Sequence, residues 1–335
     1  MWFSHAKQEE NPDRPNLEQL NDCCLECPEC HSVFGLPTLK PLSIEKCAKC
    51  EAPIFIPYLV HRYWLYRPLG GGGMGCVYKA IPADADNDKN EYAVKLLPRE
   101  RQQDPYLIES LLKEAAIGKS FGEHPHLTPV DEFGECDGEY FSAMKYVEGQ
   151  RLDQIIESST NVSAKYVLLW ALQILSAEQR IYDCGYLYRD LKPQNIIVDS
   201  DGNIHLIDYG LCIPVEEAIQ QSVADSVEGS PLYMPPERIV GAGEGMPSEI
   251  YSLGMVMFHT LAKQTYYSAS GVFELARKHV SSIRFTSVGT RLSVSVSPKV
   301  CTLIDKMIAR LPSDRFLSFR EAGGEIKKLF NELKD

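Results

Sequence analysis

Between Tyr188 and Gly210 the chain sets a carboxylate (Asp190), a cation (Lys192) and an amide (Asn195) close together. A second carboxylate follows in the turn Asp208-Tyr209-Gly210. Transfer of a phosphoryl group asks for these parts. Asp190 can accept a proton from a hydroxyl nucleophile, and Lys192 can neutralise charge on the group in flight. Asn195 and Asp208 offer the hard oxygen donors that magnesium prefers. Such chemistry needs little covalent help, so positioning and electrostatics carry it. A chain with this cluster needs a fold that also grips a nucleotide.

The stretch Leu69-Gly70-Gly71-Gly72-Gly73-Met74-Gly75-Cys76-Val77-Tyr78 contains G-x-G-x-x-G-x-V. Glycines let a backbone come close to phosphates and present N–H donors unobstructed. Alone, the stretch reads equally well as a flexible turn. The run after it, residues 76–80, is strand-like, which favours a hairpin over the strand–loop–helix of a dinucleotide site. Lys95 follows on the strand-like Ala93-Val94-Lys95, and Glu114 sits in a helical segment. The two can pair and hold the ammonium over the α- and β-phosphates. In isolation they would read as unrelated surface charges.

A chain of 335 residues has room for two domains, or for a two-lobed domain with an added module. Strand-like runs at 63–69, 75–80, 92–97, 127–134 and 140–146 surround a helical segment at 106–121. Beyond Gly149 the pattern is helical, at 164–183, 248–263, 272–282 and 319–333. Strands first and helices later predict segregated α+β lobes. Residues 1–20 read as a flexible polar tail. Residues 21–60 form a cysteine-rich unit, broken by Pro28, Pro37, Pro41, Pro53 and Pro57 and suited to short strands and turns.

The net charge of −12 argues against broad binding to nucleic acid or anionic membranes. No run approaches 18 apolar residues, and residues 253–262 read as a buried helix holding Met255 and Met257. No signal-peptide core is visible, so a soluble, cytoplasmic protein is expected, with its oligomeric state open.

Six of the eleven cysteines lie between Cys23 and Cys50, a clustering that points to metal and not disulfides. Cys27, Cys30, Cys47 and Cys50 form C-x2-C-x16-C-x2-C. Two such turns close a tetrahedron around Zn2+, and four thiolates leave no open position, so the site reads as structural. Cys23, Cys24 and His31 read as spectators, with Cys23 or Cys24 an alternative ligand. The unit, over residues 21–57, resembles a zinc ribbon. Its acidic residues outnumber its lysines, which favours protein docking or lobe bracing over nucleic-acid binding. Cys76 and Cys212 read as packed thiols, and His124 and His126 as structural.

Taken in order, these motifs resemble those of Ser/Thr protein kinases over residues 63–332, and the glycine loop is most similar to the bacterial, eukaryotic-like branch. Gly70, Gly72 and Gly75 match the loop, Lys95 the strand lysine and Glu114 the helix glutamate. Tyr188-Arg189-Asp190 stands for His-Arg-Asp with Asn195 after it, and Asp208-Tyr209-Gly210 for Asp-Phe-Gly. Gly229-Ser230-Pro231-Leu232-Tyr233-Met234-Pro235-Pro236-Glu237 looks like the end of an activation segment, with Arg315 as the arginine that pairs with Glu237.

The resemblance implies an α+β, two-lobed protein kinase fold over residues 61–333. A small β-rich N-lobe would span 61–147 and a larger helical C-lobe 148–333, with the zinc ribbon before them. It makes Asp190 the catalytic base or hydroxyl-orienting residue. Lys192 would contact the γ-phosphate, favouring serine and threonine over tyrosine, and Asn195 and Asp208 would hold Mg2+. ATP would lie on Leu69 and the loop glycines, under Val77 and Ala93, with Met144 as gatekeeper and the backbone of Lys145, Tyr146 and Val147 as hinge. Protein substrates are implied, and a protein-substrate platform at 229–237 disfavours a small-molecule kinase.

Departures from the pattern are Tyr188, expected to pack as a spine residue, and Tyr209, whose hydroxyl needs a partner when buried. Pro235 replaces alanine. Glu249 replaces an aspartate that anchors the catalytic-loop backbone, and its extra methylene could misplace that anchor. An inactive kinase-like scaffold is the alternative. Arg189 suggests control by phosphorylation of the segment 208–237, at Ser222 and Ser226. Ser230 would sit in the substrate turn, touching Asp190 and Lys192.

Overall fold

The structure, a computed structural model, describes residues 14–72, 75–84, 90–158, 162–220, 229–281, 286–292 and 296–333. They divide into two compact units, one within Met1–Gly122 and Pro129–Tyr146, the other within Glu123–Thr128 and Val147–Asp335.

The first unit is organised by a six-stranded antiparallel sheet. Its strand order is Tyr58–Val60, Tyr63–Gly72, Gly75–Pro82, Tyr92–Leu96, Glu139–Lys145, Val130–Cys136. Strand alternation is clearest in Tyr92–Leu96, where Tyr92, Val94 and Leu96 are buried and Ala93 and Lys95 are half-buried. The strand expected at 127–134 starts only at Val130, because Pro129 has no N–H to give a ladder.

Tyr63, Trp64, Leu65 and Tyr66 are consecutive and all buried. In a strand, neighbours point to opposite faces, so both faces must be covered here. Tyr63 and Leu65 pack with Ala80, Tyr92, Val94 and Phe141. Trp64 and Tyr66 pack with Leu20, Leu25, Cys27, Leu36, Cys47, Ile54 and Ile56 of the cysteine-rich segment. That segment is two small hairpins, Cys24–Glu26 with Val33–Gly35 and Ile44–Lys46 with Pro53–Phe55, and its last strand, Tyr58–Val60, is a strand of the larger sheet. The boundary expected between 60 and 61 therefore falls inside a hydrogen-bonded hairpin.

The reading of residues 1–20 as a flexible tail does not hold for 17–20. Leu17–Asn21 is a helix capped by Asn16, whose side chain accepts from Glu18 N at 3.0 Å and Gln19 N at 3.3 Å. Leu20 is buried in the core, and the Asn21 amide accepts from Trp64 Nε1 and donates to Ala83 O, each at 2.9 Å.

The second unit is mainly helical, and Ala164–Asp183 packs on Met246–Ala262 and Phe319–Glu332. Met246–Ala262 is buried almost all round, the mark of a helix inside a core. Gly254 lets Pro298–Met307 approach it, since a Cβ there would come within 2.7 Å of Ile308 Cγ2. Sequence reading passed over that second helix, although Val300, Leu303, Ile304 and Met307 carry the helical spacing. Among the described residues no helix is long and apolar enough to cross a membrane.

Candidate active site

In the first unit the glycine-rich strands close on each other at Gly72 and Gly75. Gly75 has φ +149°, and a Cβ there would lie 3.0 Å from Leu96 O, so the turn itself requires glycine. A Cβ on Gly70 would meet nothing within 4 Å. Protein packing does not explain that glycine, and the space above it can take a ligand.

Directly paired residues of neighbouring strands share a face. Val77 pairs with Lys95 and Lys95 with Ser142, while Ala93 pairs with Met144. Val77, Ala93, Lys95 and Met144 therefore stand on one face of the sheet, and Leu69 is exposed on the first strand of the hairpin. Lys95 Nζ donates to Glu114 Oε2 at 2.6 Å, with both side chains largely buried. Removing one partner takes a buried counter-charge away from the other. On the kinase resemblance given above, Lys95→Met is expected to lower kcat/KM for ATP by about 10²-fold, and Glu114→Gln in that background to add little, measured as a double-mutant cycle.

Sequence reading missed Lys79. It is almost fully buried on the same face, pairs with Glu91 at 2.8 Å and lies 4.3 Å from the Tyr146 ring centroid. Glu91 accepts from Tyr66 Oη at 2.6 Å, and its backbone oxygen takes the Tyr146 N–H at 2.9 Å. That Tyr146 donor is thus already used within the unit. No local motif signals the network, because its members come from separate strands.

In the second unit, Asp190 Oδ2 accepts from Lys192 Nζ at 2.7 Å and from Asn195 Nδ2 at 2.8 Å. Asn195 Nδ2 also lies 3.1 Å from Asp190 O. Among the described residues Asp190 Oδ1 is buried with no hydrogen-bond partner. Burial pushes the Asp190 carboxyl above the usual carboxylate range, and the Lys192 ammonium opposes the rise. Asp208 Oδ1 accepts from Gly210 N at 3.2 Å. Arg189 and Asp208 have φ of +67° and +69°, left-handed positions that cost a non-glycine residue about 1–2 kcal/mol each.

The surroundings hold these turns. Tyr188 Oη donates to Ile207 O at 2.6 Å and Tyr209 Oη to Thr128 O at 2.9 Å, so both buried hydroxyls are satisfied. The two rings meet edge to face. Glu249 does reach the backbone next to Asp190: its Oε1 and Oε2 accept from Arg189 N at 3.0 and 3.2 Å. The extra methylene has not displaced the anchor.

The Arg189 guanidinium is held by Glu244 at 2.8 Å, and Arg238 grips the other oxygen of Glu244 at 2.6 Å. Arg238 Nη1 also donates to Arg189 O at 2.6 Å. Glu244 escaped sequence reading because it lies in the glycine-rich loop Gly241-Ala242-Gly243-Glu244-Gly245.

Glu237 and Arg315 pair as expected, at 2.7 and 2.9 Å, with Ser248 Oγ donating to Glu237 at 2.7 Å. Arg315→Ala would strand a buried carboxylate. It is expected to cost about 3–5 kcal/mol, read as a fall in the urea midpoint.

Ser230 O accepts from Tyr233 N at 3.1 Å, but among the described residues the Ser230 hydroxyl bonds neither Asp190 nor Lys192, whose ammonium goes to Asp190. Ser222 and Ser226 lie outside the described residues. His124 and His126 bond Ser176 and Ile204 O and serve structure.

The sulfurs of Cys27, Cys30, Cys47 and Cys50 all lie within 4.8 Å of one another. Cys27 and Cys50 are 3.5 Å apart, and Cys30 and Cys47 3.6 Å. A tetrahedral zinc–thiolate centre places its sulfurs about 3.8 Å apart, so the set fits that metal. The two turns match: Cys27 N bonds Ser32 O and His31 N bonds Cys27 O, as Cys47 N bonds Ala52 O and Glu51 N bonds Cys47 O. His31 and Glu51 take the same left-handed conformation. The Cys50 N–H, with Ser32 and Lys49, pulls the Cys47 thiol down to about 6. At Cys50 the Ala52 N–H favours the thiolate, but burial and the neighbouring sulfurs push it up to about 12. A cation among the sulfurs is what would allow all four to ionise. Cys23 and Cys24 stand outside the set, and His31 faces Glu26 at 2.6 Å.

A sequence profile described as "Protein kinase domain" matches residues 63–323. Among curated proteins, serine/threonine-protein kinase PrkC of Bacillus subtilis (strain 168) is 31% identical over 270 residues, covering 81% of this chain and 41% of PrkC. PknH of Mycobacterium bovis is 31% identical over 263 residues, 76% of this chain and 42% of PknH. PknA of Mycobacterium tuberculosis (strain ATCC 25177 / H37Ra) is 29% identical over 263 residues, 77% of this chain and 58% of PknA. The chain thus spans about two fifths of PrkC and PknH and under two thirds of PknA.

Proposed function

The chain belongs to the protein kinase family, and from that premise we propose that it transfers the γ-phosphate of Mg-ATP to serine or threonine hydroxyls of protein substrates. The observation that carries this reading is the buried Asp190 Oδ1 without a partner, beside an Oδ2 already held by Lys192 and Asn195. One oxygen is fixed, and the other is left to take a hydroxyl proton.

Glycine at Gly70, with open space where a side chain would stand, suits the approach of phosphates. Lys95, oriented by Glu114, would neutralise them. Asn195 gives its amide N–H to Asp190, which leaves its carbonyl oxygen, with the Asp208 carboxylate, to hold Mg2+. Magnesium, when bound, offsets charge on the phosphate oxygens. Lys192 would do the same for the group in flight. With Lys95, Glu114, Asp190, Asn195 and Asp208 all present, the inactive-scaffold reading is the weaker one.

The cysteine module would hold a structural zinc, and a cytoplasmic site of action goes with free thiols. Ser222 and Ser226 remain the proposed autophosphorylation sites. A phosphate there would add negative charge that an arginine can pair with. Mass spectrometry after incubation with ATP tests this, and finding no phosphate between residues 208 and 237 removes it.

The reaction itself is tested by incubating the protein with radiolabelled ATP and generic protein substrates, then identifying the labelled amino acids. Magnesium-dependent label on serine and threonine is expected. Absence of label, or label on tyrosine alone, contradicts the reading.

A further inference from the structure

The helices Ala164–Asp183 and Met246–Ala262 pack together, and each brings a buried glutamate to the core. Among the described residues neither carboxylate oxygen of Glu178 has a hydrogen-bond partner. Its carboxyl lies against that of Glu249, whose two oxygens face Arg189 N–H. Ionised carboxylates are acceptors only, so two of them in contact cannot bond each other. One added proton turns the contact into a hydrogen bond.

Charge balance points the same way. Among the described residues Glu178, Glu244, Glu249 and Arg238 are buried and the Arg189 side chain is 8% exposed, so three acids, with Glu178 joined through Glu249, share this region with two guanidiniums. Glu244 binds both guanidiniums. Burial raises Glu178 well above the carboxylate range, and the facing Glu249 adds to the rise. Burial also raises Glu249, with Arg238 opposing and Glu244 assisting. Among the described residues Glu249 is the charged group that acts on Glu178, while Arg238, Glu244 and Arg189 act on Glu249.

We propose that Glu178 carries a proton that it donates to Glu249, and that it is thereby a positioning residue: it fixes the carboxylate that holds the Arg189 N–H, and with it the turn that presents Asp190. The effect on turnover rests on the kinase reading; the shared proton does not. Both folded-state values are raised, so the support is complete below the ordinary glutamate range and is lost as pH rises through the raised values. The alkaline side is where two facing carboxylates remain.

The test measures kcat, KM for Mg-ATP and melting temperature from mildly acidic to alkaline pH for wild type, Glu178→Gln and Glu178→Leu. Glutamine keeps a donor and has no proton to lose. Its kcat is expected near wild type, and the alkaline fall in kcat and melting temperature to shrink. Leucine keeps bulk and donates nothing, and its kcat is expected to fall by about 10-fold or more at unchanged KM. A Leu variant with wild-type kcat, or a Gln variant with the wild-type alkaline fall, overturns the proposal. Should the Leu variant not fold, the Gln comparison decides. Melting temperature is read without turnover, so an inactive protein whose alkaline loss vanishes in Glu178→Gln still supports the shared proton while the kinase reading fails.

Discussion

Asp190→Asn is expected to lower phosphoryl transfer by about 10²–10⁴-fold, the range in which removal of a positioned proton acceptor falls. The change is isosteric. An amide oxygen can still accept from Lys192 or Asn195, so the turn should keep its shape. The buried Oδ1 position, unpartnered among the described residues, loses its basicity. Nucleotide affinity should stay near wild type, because Lys95 and Glu114 pair within the first unit and do not depend on Asp190. Radiolabel transfer and equilibrium binding of a non-hydrolysable ATP analogue separate the two effects. Equal transfer by variant and wild type would falsify the role given to Asp190. A parallel loss of nucleotide binding would instead assign Asp190 to the architecture of the turn.

Removal of the zinc proposed for the cysteine set is expected to have an equally large effect, and on stability as well as turnover. A structural zinc contributes an apparent free energy of ~10–16 kcal/mol in small peptides. That is comparable with the whole stability of an ordinary domain, about 5–15 kcal/mol. Here Cys27 and Cys47 belong to the same buried cluster as Trp64, Tyr66 and Ile81 of the sheet. Loss of the metal, or Cys47→Ser, should therefore disturb the strands that carry Lys95. A drop in melting temperature of more than about 10 °C is expected on chelation, with activity lost in parallel. Metal analysis and calorimetry with and without chelator measure it. A metal-free protein that melts as the untreated one would remove the structural role of zinc.

The local sequence carried most of the chemistry. Asp190, Lys192, Asn195 and Asp208 are close along the chain, so a short stretch shows them together. The cysteine spacing is legible for the same reason: each C-x-x-C is one turn. Lys95 and Glu114 needed the glycine loop and the Asp190 cluster to give them meaning, and the 2.6 Å contact supplies the pairing.

What escaped reading is what only packing creates. Glu178 and Glu249 sit on helices far apart in the chain, and nothing local says that two acids will share a burial site. Glu244 acquires its role from Arg189 and Arg238. Leu20 looks like one leucine in a polar tail until Trp64 and Ile81 surround it. Tyr63-Trp64-Leu65-Tyr66 did carry a signal. Four large apolar residues in a row fit a strand covered on both sides, and not a half-exposed one.

That two-sided strand bears on how this protein can be cut for laboratory work. A fragment begun at Tyr63, where the family match starts, would strip away Tyr58–Val60 and bare the N–H and C=O groups of the next strand. It would also leave the Trp64 and Tyr66 rings in water. An unpaired edge beside an aromatic patch invites strand-to-strand association. A fragment that keeps this packing should therefore begin at or before Asn16, cysteines included.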